Sequence, residues 1–190
     1  MTATDLNEFL ARQTLVSTSH STWPGPIELT VSGYLSAEAP PAELVSSVRA
    51  IVLKADSVLV MRNLDSTNIL PGGRVEKGET HEGILRREVL KEAGVEIEVL
   101  ARIGLMHLKH TTPKPKDYPY SYPDFLWPIY AASFAGWRLD AKVEDGYEVS
   151  SGFLPIHEVR TLGLEDQELA FLDAAIDAAR TPNTLTGEER

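Results

Sequence analysis

The chain has 190 residues, no cysteine and a formal net charge of −10 at pH 7. The lack of cysteine excludes disulfide frameworks, iron–sulfur clusters, thiolate zinc sites and cysteine nucleophiles. Because the net charge repels nucleic acid polymers, an anionic ligand requires a local basic patch or a metal ion. The N-terminus lacks the basic and apolar regions of a signal peptide, and the most apolar stretch, residues 125–135, has about half the length that a bilayer requires. We therefore expect a cytoplasmic protein with no membrane-spanning segment.

Residues 1–44 are predicted to form an extension that packs on the main domain. Within it, residues 5–13 favour a short helix, and residues 17–25 are predicted as a loop. The alternation of side chains at 27–35 indicates a strand. Consecutive prolines at 40–41 remove backbone donors, so no regular element is expected there.

The clearest local pattern follows this extension. Two short aliphatic runs at 49–54 and 57–62, separated by Ala55 and Asp56, predict a β-hairpin. Residues 70–73, with the sequence Leu-Pro-Gly-Gly, are predicted to form a tight turn or loop.

A helix is predicted next, with Thr80 as its N-cap and Gly94 at its end. Leu85 and Val89 share one face of this helix and are expected to point into a core. The downstream elements are predicted as one or two strands at 95–105, a polar connection at 111–124, strands at 125–134 and 147–154, a C-terminal helix with Leu169, Leu172 and Ile176 on its inner side, and a tail at 181–190. Because strands outnumber the helices between them, the fold class is α/β or α+β with a mixed sheet.

Charged residues and glycines are concentrated in residues 73–95. Glu88 and Glu92 are separated by about 40° around the helix axis, so both carboxylates project from one face. Carboxylate and carbonyl oxygens are the ligands that magnesium and manganese prefer. The simpler alternative is a solvated helix face on which Arg87 and Lys91 offset the two glutamates.

The spacing in this region resembles the Nudix box, in which a glycine is followed by five residues, a glutamate, seven residues and an Arg-Glu pair before the final glutamates and glycine. The matching positions are Gly73, Glu79, Arg87, Glu88, Glu92 and Gly94. The resemblance covers about residues 46–180, predicts a Nudix-like domain at 45–180 and implies an α/β/α sandwich with a mixed central sheet. The helix of the box then carries the metal site, and residues 181–190 are expected to form a mobile tail.

The resemblance also implies catalytic roles for the matching residues. Glu88 and Glu92 would hold magnesium or manganese, with the carbonyl oxygen of Gly73 as a further ligand. Glu79 and Arg87 would form an ion pair that locks the loop onto the helix. A surface salt bridge worth less than about 1 kcal/mol is compatible with the same spacing.

Lys91 departs from the family pattern, which has a metal-binding glutamate at this position. A protonated lysine cannot bind a metal ion, so its ammonium would instead neutralise the carboxylates or contact a substrate phosphate. Many family members recruit a further catalytic carboxylate from a loop before a late strand. Glu148 is preferred here over Glu144 and Asp145, and the alternative is an acidic turn around Gly146.

The segment 107–130 combines basic and aromatic side chains and is the candidate for substrate binding. Lys109 is the candidate for a phosphate contact. Tyr120 and Trp127 are candidates for stacking on a nucleobase, which contributes about 1–3 kcal/mol per base. The alternative is a stiff surface loop or dimer contact around Tyr120, with Trp127 and Tyr130 in the core of a strand.

Together, the residues and the resemblance predict a metal-dependent hydrolase of a diphosphate linkage in a nucleotide-type or other X-linked small molecule. The competing hypothesis is a non-catalytic Nudix-fold module that binds a nucleotide metabolite or a regulatory partner. The isomerase and adenine glycosylase branches of the fold are set aside because the chain has no cysteine. The family is often dimeric, so a homodimer is a further expectation.

Overall fold

The computed structural model describes residues 3–25, 27–63, 66–114, 116, 118, 121–143 and 148–181. The longer elements, in chain order, are α1 (Ala3–Ala11), β1 (Thr14–Trp23), β2 (Ile27–Leu35), β3 (Ser47–Lys54), β4 (Ser57–Asn63), β5 (Thr67–Asn68), β6 (Gly72–Arg74), α2 (His81–Ala93), β7 (Val95–His110), β8 (Asp124–Trp137), β9 (Glu148–Pro155), α3 (Ile156–Val159) and α4 (Asp166–Arg180). No helix in this part of the chain is long and apolar enough to span a membrane.

The strands form one mixed sheet in the order β1-β2-β7-β8-β3-β4-β5, with β6 paired to β3 and β9 paired to β4. The pairing of β3 with β8 is parallel, whereas the two neighbours of β7 in the sheet are antiparallel to it. The mixed sheet with its flanking helices confirms the predicted α/β class.

Strand β3 separates two cores because successive side chains of a strand point to opposite faces. Val48, Ala50 and Val52 belong to the core that includes α2. Ile51 and Leu53 belong to the core that includes α4. The sheet therefore lies between α2 and α4, and α2 holds the charged residues of the box against one face.

The ends of α2 are formed as the sequence predicts. The side chain of Thr80 accepts a hydrogen bond of 3.1 Å from the backbone N–H of Gly83. Gly94 adopts a left-handed conformation with φ of +65°, and its N–H donates to the carbonyl oxygen of Leu90. Two local signals thus determine where this helix begins and ends.

The prediction of a loop at 17–25 was wrong for most of its length, because residues 14–23 form β1 and pair antiparallel with β2. The strand lies at the edge of the sheet; its Thr and His side chains are exposed, and its Ser side chains are partly buried. An antiparallel strand can expose one face to solvent, and main-chain hydrogen bonds to β2 hold β1 in the sheet. Strands β1 and β2 of this N-terminal segment join the sheet, and its limit at residue 44 stays a prediction.

The predicted loop at 70–73 was also partly wrong. Gly72 and Gly73 belong to β6 and pair with Val48 and Arg49 of β3. Gly72 has a φ of +143°, and a Cβ on it would lie 2.2 Å from the carbonyl oxygen of Val48. Only glycine tolerates both this conformation and this approach of two backbones.

The inner face of α4 differs from the predicted stripe. Leu172 is buried, as expected, but Leu169 and Ile176 are only partly buried. Phe171 and Gln167 are buried instead, because β2 and β7 bring glycines against them: a Cβ on Gly33 or Gly104 would overlap these two side chains. The tail beyond residue 181 lies outside the described residues.

Candidate functional site

Two carboxylates of α2 converge on consecutive glycines of β6. The N–H of Gly72 donates to Oε2 of Glu92 at 3.4 Å. A Cβ on Gly73 would lie 2.4 Å from Cγ of Glu88, so the absence of a side chain at this position leaves room for that glutamate. Glu88 and Glu92, one helical turn apart, therefore lie beside the same short backbone segment.

The position of this glycine segment is fixed by β3. The hydroxyl of Ser47 donates to the carbonyl oxygen of Gly73 at 2.7 Å. A guanidinium N–H of Arg49 donates to the carbonyl oxygen of Gly72, also at 2.7 Å. A carbonyl oxygen has two lone pairs, so the Gly73 oxygen retains the capacity for a second interaction.

The loop between β6 and α2 is fastened to the helix by a charged network. Arg87 donates two hydrogen bonds to Glu79, of 3.0 and 2.8 Å, and also contacts Glu88 and Glu76. The hydrogen bonds between Arg87 and Glu79 lower the pKa of the Glu79 carboxyl. The same hydrogen bonds raise the pKa of Arg87, and burial of the guanidinium opposes this shift to a smaller extent. The side chain of Glu88 is only 13% exposed. The arrangement holds the Glu88 carboxylate in place from the loop side.

Lys91 is partly buried beside the segment that leads into β9. Its carbonyl oxygen accepts a hydrogen bond of 2.8 Å from the N–H of Val143. Glu148 begins β9 opposite Asn63 of β4, while its side chain, together with the whole of Glu144 and Asp145, lies outside the described residues.

The predicted substrate-binding residues are not brought together. Trp127 is opposite Met106 in the register of β7 and β8, whereas Lys109 is opposite Asp124. Because Lys109 and Met106 are three residues apart, Lys109 and Trp127 point to opposite faces of the sheet. Tyr120 lies outside the described residues.

A cavity of about 340 Å³ adjoins the box. We name it the α4 cavity, because residues at the N-terminus of α4 form one of its walls; its lining includes Glu92, Arg49, Trp127, Glu165, Gln167 and Glu168. The Arg49 guanidinium lies 4.9 Å from the centroid of the Trp127 ring. The sequence analysis did not identify Arg49 or the α4 residues as part of this site. The Glu-x-x-Glu spacing at 165–168 forms a capping box, which could have located the start of α4 but not its position beside Glu92.

Glu168 provides a prediction about pH. Burial raises the pKa of Glu168, against hydrogen bonds from backbone N–H groups including that of Glu165. Stability that depends on protonated Glu168 is therefore fully present below the unfolded-state pKa near 4.5 and is lost as the pH rises through the higher folded-state pKa. We expect Glu168→Gln to remove this loss, so that the variant gains stability relative to wild type as the pH rises from 4.5 to 8. Urea unfolding across this pH range measures it, with exposed Glu158→Gln as control; parallel curves for Glu168→Gln and wild type would contradict it.

Comparison with known proteins identifies the family of the chain. The family model described as the NUDIX domain matches residues 43–175. A NUDIX hydrolase from Nitrosomonas europaea has a similar structure at a TM-score of 0.55 and 18% identity, over 76% of this chain and 97% of that one. A mutant of the pyrophosphohydrolase BsRppH from Bacillus subtilis is similar at a TM-score of 0.54 and 18% identity, over 85% of this chain and 96% of that one. No curated protein sequence matches the chain significantly. Since the family model spans more than half of the chain and its box forms the glycine and glutamate cluster described above, the protein belongs to the Nudix family.

Proposed function

We propose that the protein is a metal-dependent hydrolase of a diphosphate linkage in a nucleotide-type or other X-linked compound. The observation that carries this proposal is the convergence of Glu88 and Glu92 on Gly72 and Gly73. The pyrophosphohydrolase activity named for the Bacillus subtilis relative is consistent with it.

The donor set suits one hard divalent cation. Two carboxylates and the carbonyl oxygen of Gly73 are oxygen ligands, and magnesium usually keeps several waters as its remaining ligands. Among the described residues, no group of three or more His, Asp or Glu side chains is arranged to hold a metal. With Lys91 in place of a third carboxylate, we propose magnesium or manganese bound by Glu88, Glu92 and Gly73 as a single ion.

Residues of the chain itself have separate roles in the proposed reaction. A bound cation would neutralise charge on the phosphoryl oxygens and lower the pKa of a bound water. Glu79 and Arg87 keep Glu88 aligned through the loop. Arg49 lines the α4 cavity with Glu92, and its guanidinium carries N–H donors besides the one bonded to Gly72, so it is suited to orient a phosphate there. Glu148 is the proposed loop carboxylate that accepts a proton from the attacking water.

A substrate screen tests this function. We expect release of phosphate or a nucleoside monophosphate from at least one compound in a panel of nucleoside diphosphate and X-linked diphosphate compounds, with magnesium and not with EDTA. Absence of turnover for the whole panel, together with undiminished nucleotide binding, would favour the second candidate, a non-catalytic binding module. The residue that favours this second candidate is Lys91, which removes one family metal ligand.

Lys91→Glu tests how residue 91 acts on the metal site. A third carboxylate on the same helix adds an oxygen ligand and negative charge, so we expect manganese to bind on the order of tenfold more tightly. Isothermal titration with manganese measures the affinity directly, without a substrate. The exposed Lys77→Glu introduces the same change of charge outside the site and serves as control. Equal manganese affinity in Lys91→Glu and wild type would indicate that residue 91 faces away from the metal.

A further inference from the structure

A second cavity, of about 430 Å³, lies between the β1–β2 hairpin and β6. We name it the aromatic cavity; its lining includes Trp23, Phe125, Trp127, Tyr118, Arg49 and Arg74. Its volume is within the range of about 300–1,000 Å³ that is usual for small-molecule sites. Aromatic walls together with two guanidinium groups suit a ligand that has a planar ring and an anionic group.

The rings of the aromatic cavity are held in defined orientations. Trp23 stacks with Trp127 at a centroid distance of 5.8 Å and an interplanar angle of 25°. Trp23 also lies 6.0 Å from Phe125, within the range of favourable aromatic pairs. The indole N–H of Trp127 donates to the hydroxyl of Ser46 at 3.0 Å, which fixes the orientation of the ring. Trp23 is only partly buried, so part of its surface remains available to a ligand.

The aromatic cavity is connected to the candidate metal site through one short segment. Ser47 lines the cavity and donates to the carbonyl oxygen of Gly73. Arg74 also lines it and directly follows Gly73, which packs against Glu88. Arg49 lines both cavities. A phosphate attached to a ring in the aromatic cavity would therefore reach Arg49, which lines the α4 cavity together with Glu92.

We infer that the aromatic cavity binds the nucleobase of the diphosphate substrate and that Trp23 is a specificity-determining wall of this site. The inference deepens the proposed function and rests on it for the identity of the substrate. Trp23 and Ile27 both line the cavity but lie before residue 43, where the family match begins. Base recognition is thus supplied partly by a segment that lies outside the family match.

The experiment compares binding of adenosine diphosphate with binding of inorganic pyrophosphate, both in EDTA, by isothermal titration. Loss of a base–aromatic contact in Trp23→Ala is expected to weaken binding of adenosine diphosphate on the order of tenfold and to leave pyrophosphate binding unchanged. Trp23→Phe, which keeps an aromatic face, should retain most of the affinity. Trp137→Ala is the matched control, since Trp137 is 47% exposed and does not line the cavity. Circular dichroism confirms that each variant is folded.

A measurement on the wild type keeps the inference testable if Trp23→Ala does not fold. The chain has three tryptophans, so three indole N–H signals are expected in a nitrogen–proton correlation spectrum. The Trp23 signal, assigned from Trp23→Phe, should shift on addition of adenosine diphosphate and remain in place with pyrophosphate. An unmoved Trp23 signal, or equal losses of affinity for both probes in folded Trp23→Ala, would overturn the inference.

These outcomes separate the base site from the hydrolase. Binding in EDTA requires no turnover, so a wild type that binds adenosine diphosphate through Trp23 but cleaves no diphosphate would contradict only the hydrolase. If wild type and Trp23→Ala cleave nucleoside diphosphate compounds with the same KM, only the base site is contradicted. If Trp23 acts at the base, the substitution should raise KM for nucleotide substrates while kcat changes little.

Discussion

Glu92→Gln is expected to reduce magnesium-dependent hydrolysis by roughly 100-fold or more. Substitution of groups that merely support metal ligands already costs about 10–100-fold in metal affinity or activity, so loss of a direct ligand should have at least the larger effect. The amide keeps an oxygen that can accept the hydrogen bond from the N–H of Gly72, so we expect the free energy of unfolding to change by less than about 0.5 kcal/mol. Initial rates with and without magnesium, combined with urea unfolding, separate these two effects.

Glu82→Gln is a matched control for Glu92→Gln. Glu82 lies on the same helix but is exposed and forms an ion pair with Arg86 at 2.7 Å. This variant should retain wild-type turnover and wild-type manganese binding. Manganese binding by Glu92→Gln, followed by electron paramagnetic resonance, provides a readout that does not depend on catalysis. Full turnover or undiminished manganese binding in Glu92→Gln would remove Glu92 from the proposed metal site.

Gly73→Ala is expected to impair the site more than the fold. The new methyl group would lie 2.4 Å from Cγ and 2.6 Å from Cδ of Glu88, so the Glu88 carboxylate must move. Because the displaced atoms belong to one side chain and no backbone atom is among them, the stability cost should stay at about 1 kcal/mol. Displacement of one of two carboxylates should weaken manganese binding by at least about tenfold and reduce turnover in parallel. Manganese titration and urea unfolding of the same samples provide the comparison.

Substitutions of two other glycines serve as controls for Gly73→Ala. A Cβ on Gly152 of β9 would meet no atom within 4 Å, so Gly152→Ala should retain wild-type manganese binding and turnover. A Cβ on Gly72 would meet backbone atoms of β3 at a positive φ, so Gly72→Ala should lower the free energy of unfolding by about 1–3 kcal/mol. If Gly73→Ala behaves like Gly72→Ala, with a loss of stability that accounts for its loss of activity, Gly73 has a structural role in β6 instead of a role in positioning Glu88.

The elements that the sequence predicted well are those with short-range causes. The N-cap of α2 at Thr80, its left-handed end at Gly94 and the β3–β4 hairpin each depend on a few neighbouring residues. The spacing of Glu88 and Glu92 on one helix face is likewise a property of the helix alone. These local features were sufficient to indicate the family, because its box is a contiguous segment of loop and helix.

Other features required the tertiary structure, because they depend on which strands pair and in which register. The polar β1 is a strand only because β2 provides hydrogen-bonding partners along its length. The register of β7 and β8 places Lys109 and Trp127 on opposite faces of the sheet, which sequence distance alone did not indicate. Trp23 and Trp127 are far apart in the chain, and the pairing of β1 with β2, of β2 with β7 and of β7 with β8 brings their rings into contact. Helix caps and periodicity are local in the chain, whereas the shape of a cavity is determined by long-range pairing.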